Sequence, residues 1–320
     1  MNIFEKLMHR VDSYQRAHPR ASFLYAVVKK YGDDQAGHQA ALMAYYGFLS
    51  LFPLLLVLTT VVKVFLNGHP QLQDKLINGI TEYLPMIGNS LEKNVHGVGG
   101  GGIALALGIL FTLYGARGVA DIFRFMVNQL WEIPHVKRTG FPWSILRSMR
   151  IIIVGGIGLL LAPFVSGYAA SAGHGLLFWF SSLIITLIIL FGIFLYLLYA
   201  SLPHRHSFHD MWPGALLAAI GLVILQSLGS WLLTRQLKHL GDLYGTFAIV
   251  LGLFFWLYLQ AQVIVYALEA GTVRALRLYP RALAAGHPTE ADRRAYKLYM
   301  ERNRFFDEEH PAPEENKKDT

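Results

Sequence analysis

Over long stretches of this chain the hydrophobic positions do not alternate with polar ones; they run on without a break. The first run, Ala40–Val62, reads AALMAYYGFLSLFPLLLVLTTVV and carries no charge over 23 residues. At a rise of ~1.5 Å per residue, such a helix crosses a hydrocarbon core of ~30 Å with some tilt. A helix in water needs a polar face, and this run offers only scattered Tyr, Ser and Thr. Comparable runs follow at about 103–119, 149–170, 176–200, 212–233 and 246–270. The pattern predicts an all-α, polytopic membrane protein with six transmembrane helices in one domain, 40–270. A basic segment, 1–39, precedes it. A polar tail, 271–320, follows and reads as disordered from about Asp307.

The interruptions carry their own expectations. Pro53 lies near the middle of the first span and removes a helical N–H, so a bend is expected near Leu49–Pro53. Pro163 does the same in the third span. Only Ser171–Gly175 separate the third and fourth, which predicts a tight helical hairpin. In 1–39, Phe23, Leu24, Val27 and Val28 fit either an amphipathic helix on the membrane surface or a solvated tail. In 67–101, Leu72, Leu76, Ile77, Ile80, Tyr83 and Leu84 recur at helical spacing, and glycines at 97 and 99–102 follow. These glycines are no phosphate loop, since no Gly-Lys-Ser/Thr follows them. The second span is expected to continue past 119 as a charged amphipathic helix through Asp121, Arg124, Asn128 and Trp131, stopped by Pro134.

Charge fixes the expected orientation. The chain is 54% hydrophobic and only 15% charged, and it has no cysteine, which excludes disulfides and thiolate metal sites. The net charge of +7 could point to nucleic acid, but its placement points to the membrane instead. Six Lys and Arg precede the first span, five follow the second, one follows the fourth and ten follow the sixth. Apart from Lys63, which closes the first span, the alternate loops carry two, none and two. This bias predicts both termini in the cytoplasm, and a basic surface suited to anionic lipid. The first apolar run is too long for a cleaved signal peptide and reads as a retained anchor.

Several segments together resemble the BrkB/YihY family of bacterial inner-membrane proteins, some of which carry the label ribonuclease BN. They are AYYGFLSLFPLLLV at Ala44–Val57, FMVNQLWEIP at Phe125–Pro134, LPHRHSFHDMWPGALLAA at Leu202–Ala219, LYGTFAIVLGLFFWLY at Leu243–Tyr258, and ALEA at Ala267–Ala270. The resemblance covers about 40–270 and implies six membrane helices and a role in the cell envelope. Where that family ends its last span with Gly-Ala-Glu, this chain has Ala267-Leu268-Glu269. The acid is kept and the small residues are not, so a wider helix approach is expected there.

The candidate chemistry is sparse. Arg117, Asp121 and Glu269 fall near the expected cytoplasmic ends of spans 2 and 6, where an unpaired charge is costly. They form either a polar site lining a cavity or a structural lock between helices. Glu269 is expected to point into the bundle with Arg117 as partner, or otherwise Arg124. Tyr45 and Ser50 in span 1 either line a path or serve as interface aromatic and backbone-bonded hydroxyl. His204, His206 and His209 beside Asp210 could offer imidazoles to Zn²⁺, but no second ligand pair matches them, and a titratable basic loop is the simpler reading. No acidic pair or metal cluster suits a nuclease. The expectation is therefore a non-enzymatic protein of the bacterial inner membrane, without cofactor or nucleic-acid partner. It would transport or position a lipid-like or amphipathic molecule, or else act as a scaffold for an envelope partner or a second copy of itself.

Overall fold

A computed structural model describes residues 3–65, 102–172, 176–203, 206–244, 246–283 and 288–306. Over 3–9, 52–65, 102–105, 159–160, 162–172, 176–179, 230–244, 246 and 248–249 it describes the backbone alone. Most of the described residues are helical, and none lies in a strand. Two short helices come first, α1 (Ile3–Ala17) and α2 (Pro19–Asp33). Six long ones follow: α3 (Ala36–Phe65), α4 (Gly102–Leu130), α5 (Trp143–Ala172), α6 (Leu176–Ser201), α7 (Phe208–Tyr244) and α8 (Thr246–Ala275). A last short helix is α9 (Glu290–Arg302). Among the described residues, four stretches are long and apolar enough to cross a membrane: Ala106–Leu130, Phe180–Ser201, Phe208–Gly229 and Val250–Ala275. The amphipathic pattern expected in 67–101 lies outside the described residues. The Pro53 and Pro163 side chains do too, although α3 and α5 run helical through both positions.

The long helices form a ring in chain order, each touching the next, and α8 closes it against α3. One end of the ring is tightly filled. Ala40, Met43, Phe123, Met126, Val127, Leu130, Leu198, Ala215, Ala218, Leu222, Val265 and Leu268 meet there in one buried cluster. Leu107, Ile109, Leu110, Phe111, Leu113 and Tyr114 of α4 are all exposed, while Gly108 and Gly115 of the same stretch are buried. An apolar surface of this kind is stable in hydrocarbon and not in water.

Glycine decides how closely two of the helix pairs approach. A Cβ placed on Gly271 of α8 would lie 2.6 Å from the Gly214 Cα of α7, and one on Gly221 would lie 2.5 Å from Val263. With no hydrophobic drive between helices in lipid, small residues let the backbones come together and gain dispersion contacts. The wide approach expected at Ala267-Leu268 is therefore corrected. The glycine that brings the helices together has its place two residues past Glu269, at Gly271. Between α3 and α4, a Cβ on Gly115 would lie 2.8 Å from the Ser50 Cα, and Gly118 lies under the Tyr46 ring.

The chain ends form a layer across the filled end of the ring. The apolar face of α2, Ala26 and Val27, packs on Val273 and Leu278 at the end of α8 and on Ala295 of α9. One side of α2 thus rests on protein, while Leu24 and Val28 of the same helix are exposed. The layer also places a docked helix, α9, inside the polar tail.

Substituting Gly271 with Ala is expected to cost about 1–3 kcal/mol by forcing α7 and α8 apart. Gly155→Ala in α5, where an added Cβ meets nothing within 4 Å, is expected to be neutral or to gain up to ~1 kcal/mol. Thermal unfolding of both variants in the same detergent checks the contrast.

Candidate functional site

The centre of the terminal layer is a lysine with no access to solvent. Lys30 lies on the same face of α2 as Ala26 and Val27, four and three residues earlier, so the helix that buries those residues buries it too. Its side chain is 0% exposed. The ammonium group donates to Asp34 one turn on, donates to Glu132 at 2.9 Å, and lies 3.6 Å from the Glu269 carboxylate. Arg302 of α9 donates to Asp34 from the other side and lies 3.2 Å from Glu132. Four elements therefore meet at one point: α2, the end of α4, α8 and α9.

Local geometry shows what each acid requires. Helix α4 ends in a Schellman motif: Ile133 N–H bonds the Asn128 carbonyl and Glu132 N–H bonds the Gln129 carbonyl. The position between, normally glycine, is Glu132 with φ 54°. A side chain in this left-handed region costs about 1–2 kcal/mol, and here it places a carboxylate against Lys30. Gln129 donates to the Asp34 carbonyl at 2.6 Å and ties the end of α4 to the α2–α3 turn. Glu269 is fully buried; its Oε2 lies 3.5 Å from the Thr272 hydroxyl, and its Oε1 has no hydrogen-bond partner.

Burial alone would strip Lys30 of its proton; the carboxylates of Glu269, Asp34 and Glu132 reverse this and hold it above the ordinary lysine range. Glu132 is pushed above the usual carboxylate range by burial, with Lys30 opposing, Asp34 adding to the rise and Arg302 opposing.

A second ion cluster adjoins the first. Arg281 donates to Asp292 at 2.7 Å and to Asp33 at 2.9 Å, and Lys29 donates to Asp292 at 3.0 Å. Asp292 also closes a capping box with Thr289 at the start of α9 and accepts the Ala282 N–H at 2.8 Å. Gln15 of α1 donates to the Arg281 carbonyl at 2.6 Å, and Asp12 accepts the Leu283 N–H at 2.8 Å. A shallow cavity of about 580 Å³ opens beside this cluster, lined by Lys29, Asp33, Arg281, Asp292, Tyr296 and Tyr299.

The expected site residues are separated. Arg117 does not reach Glu269. Helix α4 runs on to Leu130, as its charged continuation predicted, and Arg117 therefore lies mid-helix, roughly 20 Å by helical rise from the level of Glu132. It pairs with Asp121 at 3.4 Å and is 57% exposed. Asp121 accepts from Ser148 of α5 at 2.5 Å and lies 3.6 Å from Arg124, which itself donates to the Ser144 carbonyl. Arg124 likewise does not pair with Glu269. Ser50 donates to the Gly47 carbonyl at 2.9 Å and stands against Gly115; Tyr45 is exposed, edge-on to Tyr46. His204 lies outside the described residues, the His206 ring lies 4.7 Å from Trp131, and His209 is exposed. Among the described residues no group of three or more His, Asp or Glu could hold a metal ion.

The residues that sequence reasoning missed are Lys30, Asp34, Glu132 and Arg302. The spacing Ala26, Val27, Lys30 held the signal for the first: a lysine on the apolar stripe of an amphipathic helix.

These features define a helical membrane protein whose ring of long helices is locked at one end by a buried ion network. Residues 27–292 match the family described as Virulence factor BrkB, and the chain belongs to that family. The matched stretch begins in α2, ahead of Lys30, and ends at Asp292. A UPF0761 membrane protein of Alteromonas mediterranea is 24% identical over 269 residues, 80% of this chain and 89% of the relative. A ribonuclease-like protein of Bacillus subtilis, YfkH, is 26% identical over 276 residues, 80% of this chain and 94% of the relative. A UPF0761 membrane protein of Stenotrophomonas maltophilia is 26% identical over 291 residues, 85% of this chain and 65% of the relative. No solved structure matches the chain.

Asp292 gives a pH prediction. Burial alone would raise its carboxyl; the N–H groups of Thr289 and Ala282 and the Arg281 guanidinium outweigh burial and hold it well below the usual range. A carboxyl depressed in the folded state contributes stability that is complete above its unfolded pKa of ~3.9 and is lost as pH falls through the folded value. The docked α9 is expected to resist proteolysis at mildly acidic pH and to become cleavable only in stronger acid. Asp292→Asn is expected to be cut within 288–306 at neutral pH. Equal resistance of variant and wild type would remove Asp292 as the clasp.

Proposed function

We propose that the protein transports or positions an amphipathic molecule with an anionic head, in the bacterial inner membrane. On this reading all six long helices cross the bilayer and both termini are cytoplasmic, which agrees with the placement of Lys and Arg along the chain. The observation that carries the reading is the state of α4. Beyond the filled end of the ring, this helix exposes most of its surface, and within that stretch stands a half-exposed ion pair, Arg117 and Asp121, with Arg124 one turn on. Charges facing plain hydrocarbon are costly, and such groups in spans mark water-filled or headgroup-lined paths. Two guanidinium groups against one carboxylate leave one positive charge, which suits a phosphate or carboxylate head, while the exposed leucines and aromatics of the same helix suit an acyl chain.

No enzymatic role is proposed, and the ribonuclease-like name stays with the Bacillus relative. The second reading, a scaffold, draws on the ion-locked terminal layer, which offers a rigid surface for a partner.

The test is lipid retention. Full-length protein purified in native nanodiscs, then stripped in detergent, is expected to keep an anionic lipid or similar amphiphile identifiable by mass spectrometry. Arg117→Ala is expected to keep its fold and to retain about tenfold less, the loss of roughly 1.4 kcal/mol of contact. A protein that holds no amphiphile, or holds it regardless of Arg117, supports the scaffold instead.

A further inference from the structure

Between Glu132 and Asp210 the chain holds five Lys and Arg and no acid. Positive charge in this stretch needs partners from elsewhere, and the acids around it do not supply them. Glu132 faces Lys30 and Arg302, and Asp121 faces Arg117 and Arg124. Among the described residues Arg147 and Arg150 of α5 form no ion pair, with Asp210 or any other acid. Arg147 is half-buried and donates to the Leu202 carbonyl at 3.1 Å; Arg150 is exposed, one turn further along the helix.

The outer face of α5 has an order along its axis. Phe141, just before the helix, and Trp143, its first residue, are exposed. Leu146 and Arg150 follow, then Ile153, Ile157 and Leu161, all exposed as well. Steps of three and four residues keep them on one face. From Arg150 to Leu161 the helix rises about 16 Å, the depth of one leaflet in a hydrocarbon core of ~30 Å. Aromatic rings, then a cation, then an apolar stripe match the membrane surface, the head and the tail of a phospholipid. A soluble polyanion would use the arginines and leave the stripe bare. A second copy of the chain on the same face would set arginine against arginine.

We propose that this face of α5 binds an anionic phospholipid of the cytoplasmic leaflet, with its phosphate on Arg147 and Arg150 and an acyl chain along Ile153, Ile157 and Leu161. The inference rests on the reading that the long helices cross the bilayer with both termini in the cytoplasm. It stands whether the protein transports or scaffolds. Bound on an outer face, this lipid exchanges with the bilayer and leaves when the protein is stripped in detergent, unlike a molecule held at Arg117.

Native mass spectrometry of the stripped full-length protein, titrated with phosphatidylglycerol or with phosphatidylcholine of the same chains, tests this. The wild type is expected to bind phosphatidylglycerol the more tightly, and glycerol 3-phosphate, a head without chains, is expected not to compete. Neither arm needs a variant. Arg150→Gln is expected to keep the wild-type unfolding temperature and to bind phosphatidylglycerol about fivefold less, with phosphatidylcholine unchanged. The same loss is expected in an Arg117→Ala background. Equal binding of the two lipids, displacement by glycerol 3-phosphate, no loss in Arg150→Gln, or a loss that vanishes in the Arg117→Ala background overturns the proposal. A nitroxide on Phe141→Cys, in a chain with no other cysteine, reports the depth of this face in nanodiscs. With the label at headgroup depth, a failed lipid test sinks this site alone. A label in bulk water overturns both the site and the bilayer crossing of α5 at this level.

Discussion

One lysine that cannot reach water sets the terms for the rest of this structure. An ammonium group buried alone loses its charge or unfolds its surroundings, so Lys30 holds its place only while carboxylates from other elements surround it. Each of those elements is then fixed by the need. The α2 helix lies against the end of α8, α4 closes with a glutamate where glycine is normal, and α9 folds back so that Arg302 completes the shell around Asp34. Such a network adds little net stability compared with an apolar core, but a wrong arrangement leaves a charge unpaired, and this penalises every alternative docking of the ends.

The two ends of the ring follow from different physics. At the locked end, buried apolar side chains and the ion clusters hold the helices together. Toward the other end, missing side chains help bring helices together, with Gly115 against Ser50 and Gly229 against the buried Trp256. Where no glycine brings a neighbour close, as along most of α4 from Leu107 to Tyr114, the helix shows its surface. The asymmetry places rigidity beside the chain ends and open helix surface beside Arg117.

Much of the architecture was legible in the sequence, because uncharged runs of twenty residues have few uses other than long apolar helices. The six long helices begin and end within a few residues of those runs, except where a polar continuation hides the boundary. Helix α4 is the instructive case: its charged continuation to Pro134 was legible, but placing the end of the span near 119 put Arg117 at the depth of Glu269, when it lies mid-helix. The acid at 269 was legible because a charge beside an apolar run must be accounted for. Its partner was not, since Lys30 sits in a segment rich in lysine and arginine where any one reads as solvated. What sets it apart is a position on the α2 stripe and a contact 239 residues away in sequence, and only the second of these decides that it is buried. Nor does local sequence reveal Arg302, in a tail whose composition reads as solvent-exposed.

The account turns on Lys30 and its carboxylates acting as a unit, and a double-mutant cycle between Lys30→Met and Glu132→Gln measures that directly. With equilibrium unfolding in a common detergent, Lys30→Met alone is expected to lose roughly 3–5 kcal/mol, because it strands buried carboxylates. Adding Glu132→Gln is expected to restore part of the loss, with a coupling of about 1–3 kcal/mol. A Lys30→Met protein as stable as the wild type, or two changes that simply add, would contradict the account.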